Sequence, residues 1–191
     1  IRDRPEVDYE AVMRLKLRWA ERLFRQTGES VRATSGYAAF CEQNRSWLDP
    51  YAAFSVLRDR FGTADYRQWG DYARYGEQRL DHFRRNNRES IDFYCFLQYH
   101  LHLQLNDACR YARRCGVVLK GDIPIGVSPS SVDVWQHPHL FHLGAQAGAP
   151  PDAFAAMGQN WGFPTYDWQA MAHDGYGWWP VSYTHLRAHE T

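Results

Sequence analysis

Apolar residues recur at helical spacing along most of the chain, and this pattern predicts a largely helical first half. Residues 8–27 place apolar side chains at intervals of three and four, which indicates an amphipathic helix that ends at Gly28. A second helix is predicted over 37–44, and a third over 49–61, where Asp and Pro supply an N-cap and a first turn. The longest helix is predicted over 90–114.

Residues 63–89 lack one sustained period and are polar and aromatic by turns. Short helices and solvated loops are the expected structure. The charged run over 84–89 is most simply a hydrated surface.

The stretch 116–127 changes the pattern from helical to extended. Val117, Val118 and Leu119 form a short apolar run of the kind found in buried parallel strands, and Gly and Pro follow. We expect a parallel barrel strand over 117–123 with Asp122 at its C-terminal end, the end that carries the chemistry in α/β barrels. The alternative for Asp122 is a turn residue beside Gly121.

Residues 145–168 are rich in Gly and Pro, follow no regular period, and predict a long ordered loop. Aromatic rings stack on the apolar faces of pyranoses, while amides and carboxylates bind their hydroxyls, so the loop has the composition of a sugar-binding wall. The candidate binding residues of such a wall are Asp152, Phe154, Gln159, Trp161, Pro164 and Tyr166. The alternative is a rigid structural loop without a binding role.

Composition narrows the function classes. The formal net charge is +0 and no basic block is present, which argues against nucleic-acid binding through phosphate contacts. No apolar run approaches ~20 residues, so no membrane span is expected. The 4 cysteines lack CxxC spacing and are expected to be reduced thiols of a cytoplasmic protein.

Two other residue groups admit a functional and a structural interpretation. Phe40, Trp47 and Tyr51 have the helical spacing of a core stripe, although they could also line a groove. The histidines lack the Cys or carboxylate pattern that completes a standard zinc site, so ordinary polar or core roles are expected and no metal is predicted. These histidines are His100, His102, His137, His139 and His142.

Several motifs, taken together and in order, resemble the 4-α-glucanotransferases, the amylomaltase or disproportionating-enzyme family. The match covers most of residues 36–179 and resembles the longer branch of the family. Its motifs are FCEQNRSWLDPYAAFSVLRDRFG at 40–62, QYHLHLQL at 98–105, GDIPIGV at 121–127, SVDVW at 131–135, PHLF at 138–141, AGAPPDAFAAMGQNWGFPTYDW at 147–168 and DGYGWW at 174–179.

The resemblance implies an α/β fold, a partial (β/α)8 TIM barrel of the α-amylase type with an inserted helical subdomain. Residues 1–89 would form the mainly helical subdomain, and 90–179 an early barrel helix, strand and active-site loop. It also implies retaining transfer between α-1,4-glucans or malto-oligosaccharides, without a metal or organic cofactor. Asp122 would lie in the active-site wall, and the loop 150–161 would overhang the sugar cleft.

The sequence departs from the family in two places. The family's nucleophile lies in an R-x-D-H motif after the region ending at Trp179, whereas here a similar motif around Asp81 precedes the expected strand. We reject Asp81 as the nucleophile, because no strand pattern precedes it and Arg85 stands where the barrel motif has Gly. Residues 180–191 do not resemble the barrel helix expected there and look like an anomalous tail.

These departures predict an internal piece of a transferase that is inactive alone. Its catalytic nucleophile and acid/base would lie beyond this chain. The alternative is a non-catalytic carbohydrate-binding or structural helical domain.

Overall fold

The computed structural model describes residues 6–119 and 125–179, and these residues are mostly helical. The elements are α1 Tyr9–Arg32, α2 Ser35–Gln43, α3 Arg45–Phe61, α4 Glu77–Asn86, α5 Arg88–Arg114, α6 Val132–Gln136, β1 Phe141–His142, β2 Gly148–Ala149, β3 Gln159–Asn160, β4 Thr165–Tyr166 and α7 Trp168–His173. Two short 3-10 turns, Tyr66–Gln68 and Gly70–Ala73, separate α3 from α4. A third, Pro138–Leu140, follows α6.

Helix α1 begins where the pattern predicts and ends later. Asp8 caps it by accepting a hydrogen bond from the Ala11 amide at 2.9 Å. The predicted stop at Gly28 is wrong, because α1 continues to Arg32. Gly28 is buried, and the ring of Phe24 lies 2.7 Å from the place where a Cβ would stand. This glycine therefore makes room for a ring inside the helix.

The other predicted helices exist with shifted starts. Helix α3 starts at Arg45, one turn before the predicted Asp49, so Pro50 lies inside it. The Leu48 amide already donates to the Asn44 carbonyl at 2.9 Å, which places the first helical turn ahead of the proline. Helix α5 starts at Arg88 rather than Ser90. Asp49 and Pro50 therefore do not mark the start of α3.

Helix α5 is the scaffold on which α1, α2, α3 and α4 pack. Aromatic side chains make many of these contacts, in edge-to-face geometry that aromatic pairs favour. Phe24 of α1 lies 5.3 Å from Phe96, and Tyr37 of α2 lies 5.3 Å from Tyr99, measured between ring centroids. The buried core of α3, which includes Leu48 and Leu57, completes the bundle.

Phe40, Trp47 and Tyr51 belong to this bundle. Phe40 is buried, and the other two are partly buried and pack against the core. Their core interpretation is therefore the better supported one.

Trp135 of α6 joins the second part of the chain to the helical bundle. Its ring lies 5.7 Å from both Phe54 and Trp69 and 5.1 Å from Tyr75. Its Nε1 donates to the Tyr72 carbonyl at 2.9 Å. Because the indole is 2% exposed, its polar atom needs this partner.

The expected strand is absent over Val117–Leu119, which form no regular element. These residues are exposed by 51%, 84% and 44%, so the prediction of a buried run is wrong for them. A parallel strand exists only beside neighbouring strands, and the ladders in the described part of the chain are antiparallel pairs formed by β1 with β4 and by β2 with β3. The partial barrel is not confirmed.

The remaining predicted features fall partly outside the described residues. Asp122 and the rest of the expected strand lie there, as do residues 180–191. The proposed division at residue 89 stays a prediction. Across 6–119 and 125–179, no helix combines the length and apolarity needed to cross a bilayer.

Replacing the anchoring indole tests the join between the two parts. We expect Trp135→Ala to lower the free energy of unfolding by about 3–5 kcal/mol, because it leaves a cavity and removes the hydrogen-bond donor of the Tyr72 carbonyl. Urea denaturation followed by circular dichroism measures the loss. Trp19→Ala is the matched control, since Trp19 is 60% exposed, and its effect should stay within about 0.5 kcal/mol. Equal losses for the two variants would contradict the anchoring role.

Asp65 should give the protein part of its acid sensitivity. Its carboxylate accepts from Arg67 Nε at 2.6 Å and from Gln68 Nε2 at 3.0 Å, and Arg67 is the main cause that lowers the Asp65 pKa from 3.8 to about 2. The folded state favours the ionised form, so this contribution is present above pH 3.8 and is lost as the pH falls toward 2.

Asp65→Asn should flatten the stability profile over that interval. NMR titration of the Asp65 carboxyl in the unsubstituted protein measures its pKa directly. A midpoint at the ordinary Asp value would contradict the interaction with Arg67.

Candidate functional site

The segment between β1 and α7 is a hairpin rather than an irregular loop. Strands β2 and β3 pair at its middle, and two further backbone bonds extend the ladder: the Trp161 amide donates to the Ala147 carbonyl, and the Ala147 amide to the Phe163 carbonyl, each at 2.9 Å. A Cβ on Gly148 would stand 2.0 Å from the Gln159 carbonyl oxygen, so this close pairing requires glycine.

The tip of the hairpin, residues 150–158, is folded by Asp152. Its Oδ1 accepts from the Phe154 amide at 2.8 Å and from the Ala155 amide at 2.7 Å, which closes a tight turn. Gly158 has a φ of +71° and returns the chain to β3. Asp152 therefore shapes the tip, with one carboxylate oxygen committed to the backbone.

Phe154 is the most exposed apolar residue on this tip. Its side chain is 99% exposed, and that of Met157 is 95% exposed. A large ring held fully in water by an ordered hairpin gains no burial energy from folding. Such a ring has the position expected of a ligand contact.

Trp161 forms a second aromatic surface beside the ladder. Its indole is 43% exposed, and Nε1 donates to Gln159 Oε1 at 2.9 Å. Phe163 lies 5.8 Å away between ring centroids and supports it from one side. Gln159 thus fixes the orientation of the indole and leaves part of its surface open.

Pro164 and Tyr166 lie at the base of the hairpin. Pro164 is buried, and the Tyr166 ring packs 5.2 Å from Trp168, 5.2 Å from Trp179 and 5.8 Å from Trp178. Burial raises the pKa of Tyr166, and its hydroxyl is buried without a hydrogen-bond partner among the described residues. The structure therefore separates these two residues from the exposed tip, although all were predicted as one set.

The aspartates around the hairpin have structural tasks. Asp167 caps α7 by accepting from the Ala170 amide at 2.9 Å, and Asp133 accepts from Trp178 Nε1 at 3.1 Å. Asp174 Oδ1 accepts from the Gly177 amide at 3.3 Å. Each carboxylate therefore has a folding role in the described part of the chain. The role of Asp122 in the site stays a prediction, since it lies outside that part.

Asp81 lies on helix α4 and is paired with Arg84 at 3.5 Å. Its side chain is 66% exposed, which is typical of a surface ion pair. The helical setting of Asp81 agrees with its rejection as a nucleophile at a strand end.

The histidines lie in separate packing environments. His100 packs 4.3 Å from Phe96, and burial lowers its pKa. The rings of His137 and His139 lie 6.1 Å apart. Over 6–119 and 125–179, no group of three or more His, Cys, Asp or Glu side chains could hold a metal ion.

Two residues near the candidate site were not singled out from the sequence. Met157 shares the exposed tip with Phe154, and its position in the Gly/Pro-rich loop was the available signal. Gly126 lies against the ring of Phe163, since a Cβ there would stand 2.2 Å from it. No local pattern indicates that contact, because the two residues are distant in sequence.

Comparison with known proteins adds independent observations. A family model described as 4-alpha-glucanotransferase matches residues 2–189. The rice protein 4-alpha-glucanotransferase DPE2 is 44% identical over 192 residues, which cover 99% of this chain and 20% of the rice protein. A 4-alpha-glucanotransferase from Streptococcus pneumoniae is 31% identical over 185 residues, covering 93% of this chain and 36% of that protein.

A solved structure agrees with the sequence comparisons. Amylomaltase from Streptococcus agalactiae in complex with acarbose aligns with a TM-score of 0.81 and 31% identity, over 92% of this chain and 37% of that chain. This chain thus spans about a fifth to just over a third of the length of these relatives. The extent of the family match and the agreement of fold lead to one conclusion: the chain belongs to the 4-α-glucanotransferase family.

Proposed function

We propose that these residues act within a 4-α-glucanotransferase, which moves an α-1,4-glucan segment from a donor chain to the 4-hydroxyl of an acceptor sugar. Family membership supports the reaction, and the aligned amylomaltase, solved with acarbose, supports a glucan-type ligand. The observation that carries the proposal for this chain is the hydrogen-bonded hairpin on which Phe154 is exposed to water. No metal or organic cofactor is part of the proposed reaction.

The hairpin would be a wall of the glucan cleft. Phe154 and Trp161 would stack on pyranose rings, while Gln159 and the second oxygen of Asp152 would bind sugar hydroxyls. Pro164 and Tyr166 would support the wall from its base, and Asp122 would contribute a carboxylate to the same cleft. The bonds of Asp152 to the Phe154 and Ala155 amides support this assignment, since they fix the backbone that carries the aromatic ring.

The proposed mechanism is retaining transfer, set within a partial (β/α)8 barrel. It needs a carboxylate nucleophile and a carboxylic acid about 5–5.5 Å apart on either side of the glycosidic bond. We assign both groups to parts of the transferase outside residues 1–191. The structural tasks of Asp133, Asp167 and Asp174 support this assignment.

We further propose that the transferase works in the cytoplasm. The four cysteines, Cys41, Cys95, Cys109 and Cys115, are free thiols in the structure, as expected for a reducing compartment.

Removing the exposed ring tests the glucan-binding role. We expect Phe154→Leu in the transferase to raise KM for maltotriose about tenfold, because the stacking surface is lost, while thermal stability stays unchanged. Initial transfer rates across maltotriose concentrations measure the change. Met157→Leu is the matched control on the same tip, and it removes no ring. Unchanged kinetics in Phe154→Leu would remove this residue from the cleft.

The 191-residue chain alone should not transfer glucan. Loss of the covalent catalysts typically costs several orders of magnitude in rate, so stacking contacts that remain would bind sugar without cleaving it. Purified chain with maltotriose, followed by measurement of glucose and longer oligosaccharides, is the assay, and the complete transferase is the positive control. Robust disproportionation by the chain would refute the assignment of both catalytic groups to other parts of the enzyme. Sugar binding without turnover would leave the carbohydrate-binding alternative in place for the isolated chain.

A further inference from the structure

A cleft of about 400 Å³ lies where α3 begins, α4 ends and α5 begins. Small-molecule sites typically span ~300–1,000 Å³, so its volume is in that range. The charged run over 84–89, for which the sequence indicates a hydrated surface, supplies part of its wall. None of its lining residues comes from the hairpin that carries Phe154. The charged groups in the lining are those of Arg45, Asp81, Arg84, Arg85, Arg88 and Asp92.

Positive charge is in excess in this cleft. Four guanidinium groups and two carboxylates line it, so two positive charges are left without a counterpart in the lining. Like charges brought together in one cleft repel each other, and an anion between them relieves that repulsion. A phosphate monoester carries about −1.5 to −2 charges at pH 7, which matches the excess.

The fold itself uses one of the four arginines. Arg84 Nη2 contacts Asp49 Oδ2 at 2.6 Å, and the Arg84 side chain is 27% exposed. This ion pair joins the end of α4 to α3. Arg84 is therefore a fixed part of the wall, and its charge is largely compensated within the protein.

The other three arginines are loosely paired or unpaired. The nearest paired carboxylate oxygen lies 3.4 Å from Arg45 and 3.9 Å from Arg88, which exceeds the ~2.7–2.9 Å of a charge-assisted hydrogen bond. Among the described residues, Arg85 takes part in no ion pair or hydrogen bond. All three are exposed, and they belong to three different helices. Their donors are thus available to a ligand.

The two carboxylates in the lining leave the cleft open to an anion. Asp92 is 22% exposed and lies 3.5 Å from Arg32 and 3.9 Å from Arg88, so guanidinium groups of two helices offset its charge. Asp81 is 66% exposed and is paired with Arg84 at 3.5 Å, so solvent and ions screen its charge. The charge that remains in the cleft is positive.

We propose that this cleft binds a phosphate group, either as inorganic phosphate or as a phosphate monoester. Planar guanidinium groups bind phosphate oxygens bidentately, and a tetrahedral phosphate can accept from Arg45, Arg85 and Arg88 at once. A bound phosphate joins the start of α3 to the junction of α4 and α5, and it stabilises the folded protein by mass action. The site is independent of the hairpin and of the glucan-transfer reaction.

Calorimetric titration of the complete transferase with inorganic phosphate, at constant ionic strength, tests the site. We expect saturable binding. The double variant Arg85→Ala, Arg88→Ala should raise the Kd about tenfold, because it removes two charged donors and leaves the buried ion pair of the wall intact. The matched control is Arg18→Ala, Arg110→Ala, which removes two exposed positive charges of α1 and α5 outside the cleft and should leave the Kd unchanged.

A parallel titration with glycerol 3-phosphate separates the two sources of the phosphate group. Tighter binding than that of inorganic phosphate would identify a monoester as the ligand, whereas an equal Kd would identify inorganic phosphate as sufficient. Glycerol alone is the control for the ester group. The absence of saturable phosphate binding, or the same Kd in the parent, the cleft variant and the control variant, would overturn the proposal.

Discussion

The insertion of Trp135 into the helical bundle is the contact on which the placement of the hairpin depends. The indole is enclosed by Phe54, Trp69 and Tyr75, and its nitrogen is satisfied by the Tyr72 carbonyl. Trp69 is itself fully buried and donates to the Thr63 carbonyl at 2.9 Å, so its ring has a fixed place in the surface that receives Trp135. Helix α6 leads directly into the 3-10 turn and β1, and the hairpin follows.

A second group of packed aromatic rings connects α6 to the base of the hairpin. Phe141 of β1 contacts Tyr166 of β4 at 5.6 Å and Trp178 at 5.8 Å, and Trp178 donates to Asp133 of α6. The rings of Trp168 and Trp179 stack 5.9 Å apart with an angle of 7° between their planes. Trp168, Trp178 and Trp179 therefore have a structural role. Tyr166 lies at the base of the hairpin because its ring packs among them.

The helices could be predicted because apolar spacing and capping residues are local features of the sequence. The extended segments could not be predicted, since a strand depends on partners that are distant in the sequence. Apolar spacing located α1 and α5, while Gly28 and Pro50 gave wrong ends, since the neighbouring packing and first turn decide what those residues do. An apolar run such as Val117–Leu119 specifies no partner, and a strand needs one. For the candidate site, the Gly/Pro-rich segment and its aromatic residues were predicted from sequence, and their binding role stays a prediction. The commitment of Asp152 to the backbone depends on a turn geometry that sequence spacing does not specify.

The order of the hairpin tip has an entropic consequence. A flexible loop of nine residues would lose about 1–2 kcal/mol of backbone conformational freedom per residue when a ligand fixed it. Here the Asp152 turn and the β2–β3 ladder order the backbone during folding, so the sugar contact proposed for Phe154 would order little more than one side chain, at about 0.5–1.5 kcal/mol. The fold thus removes most of the conformational entropy cost that a flexible loop would add to the proposed contact.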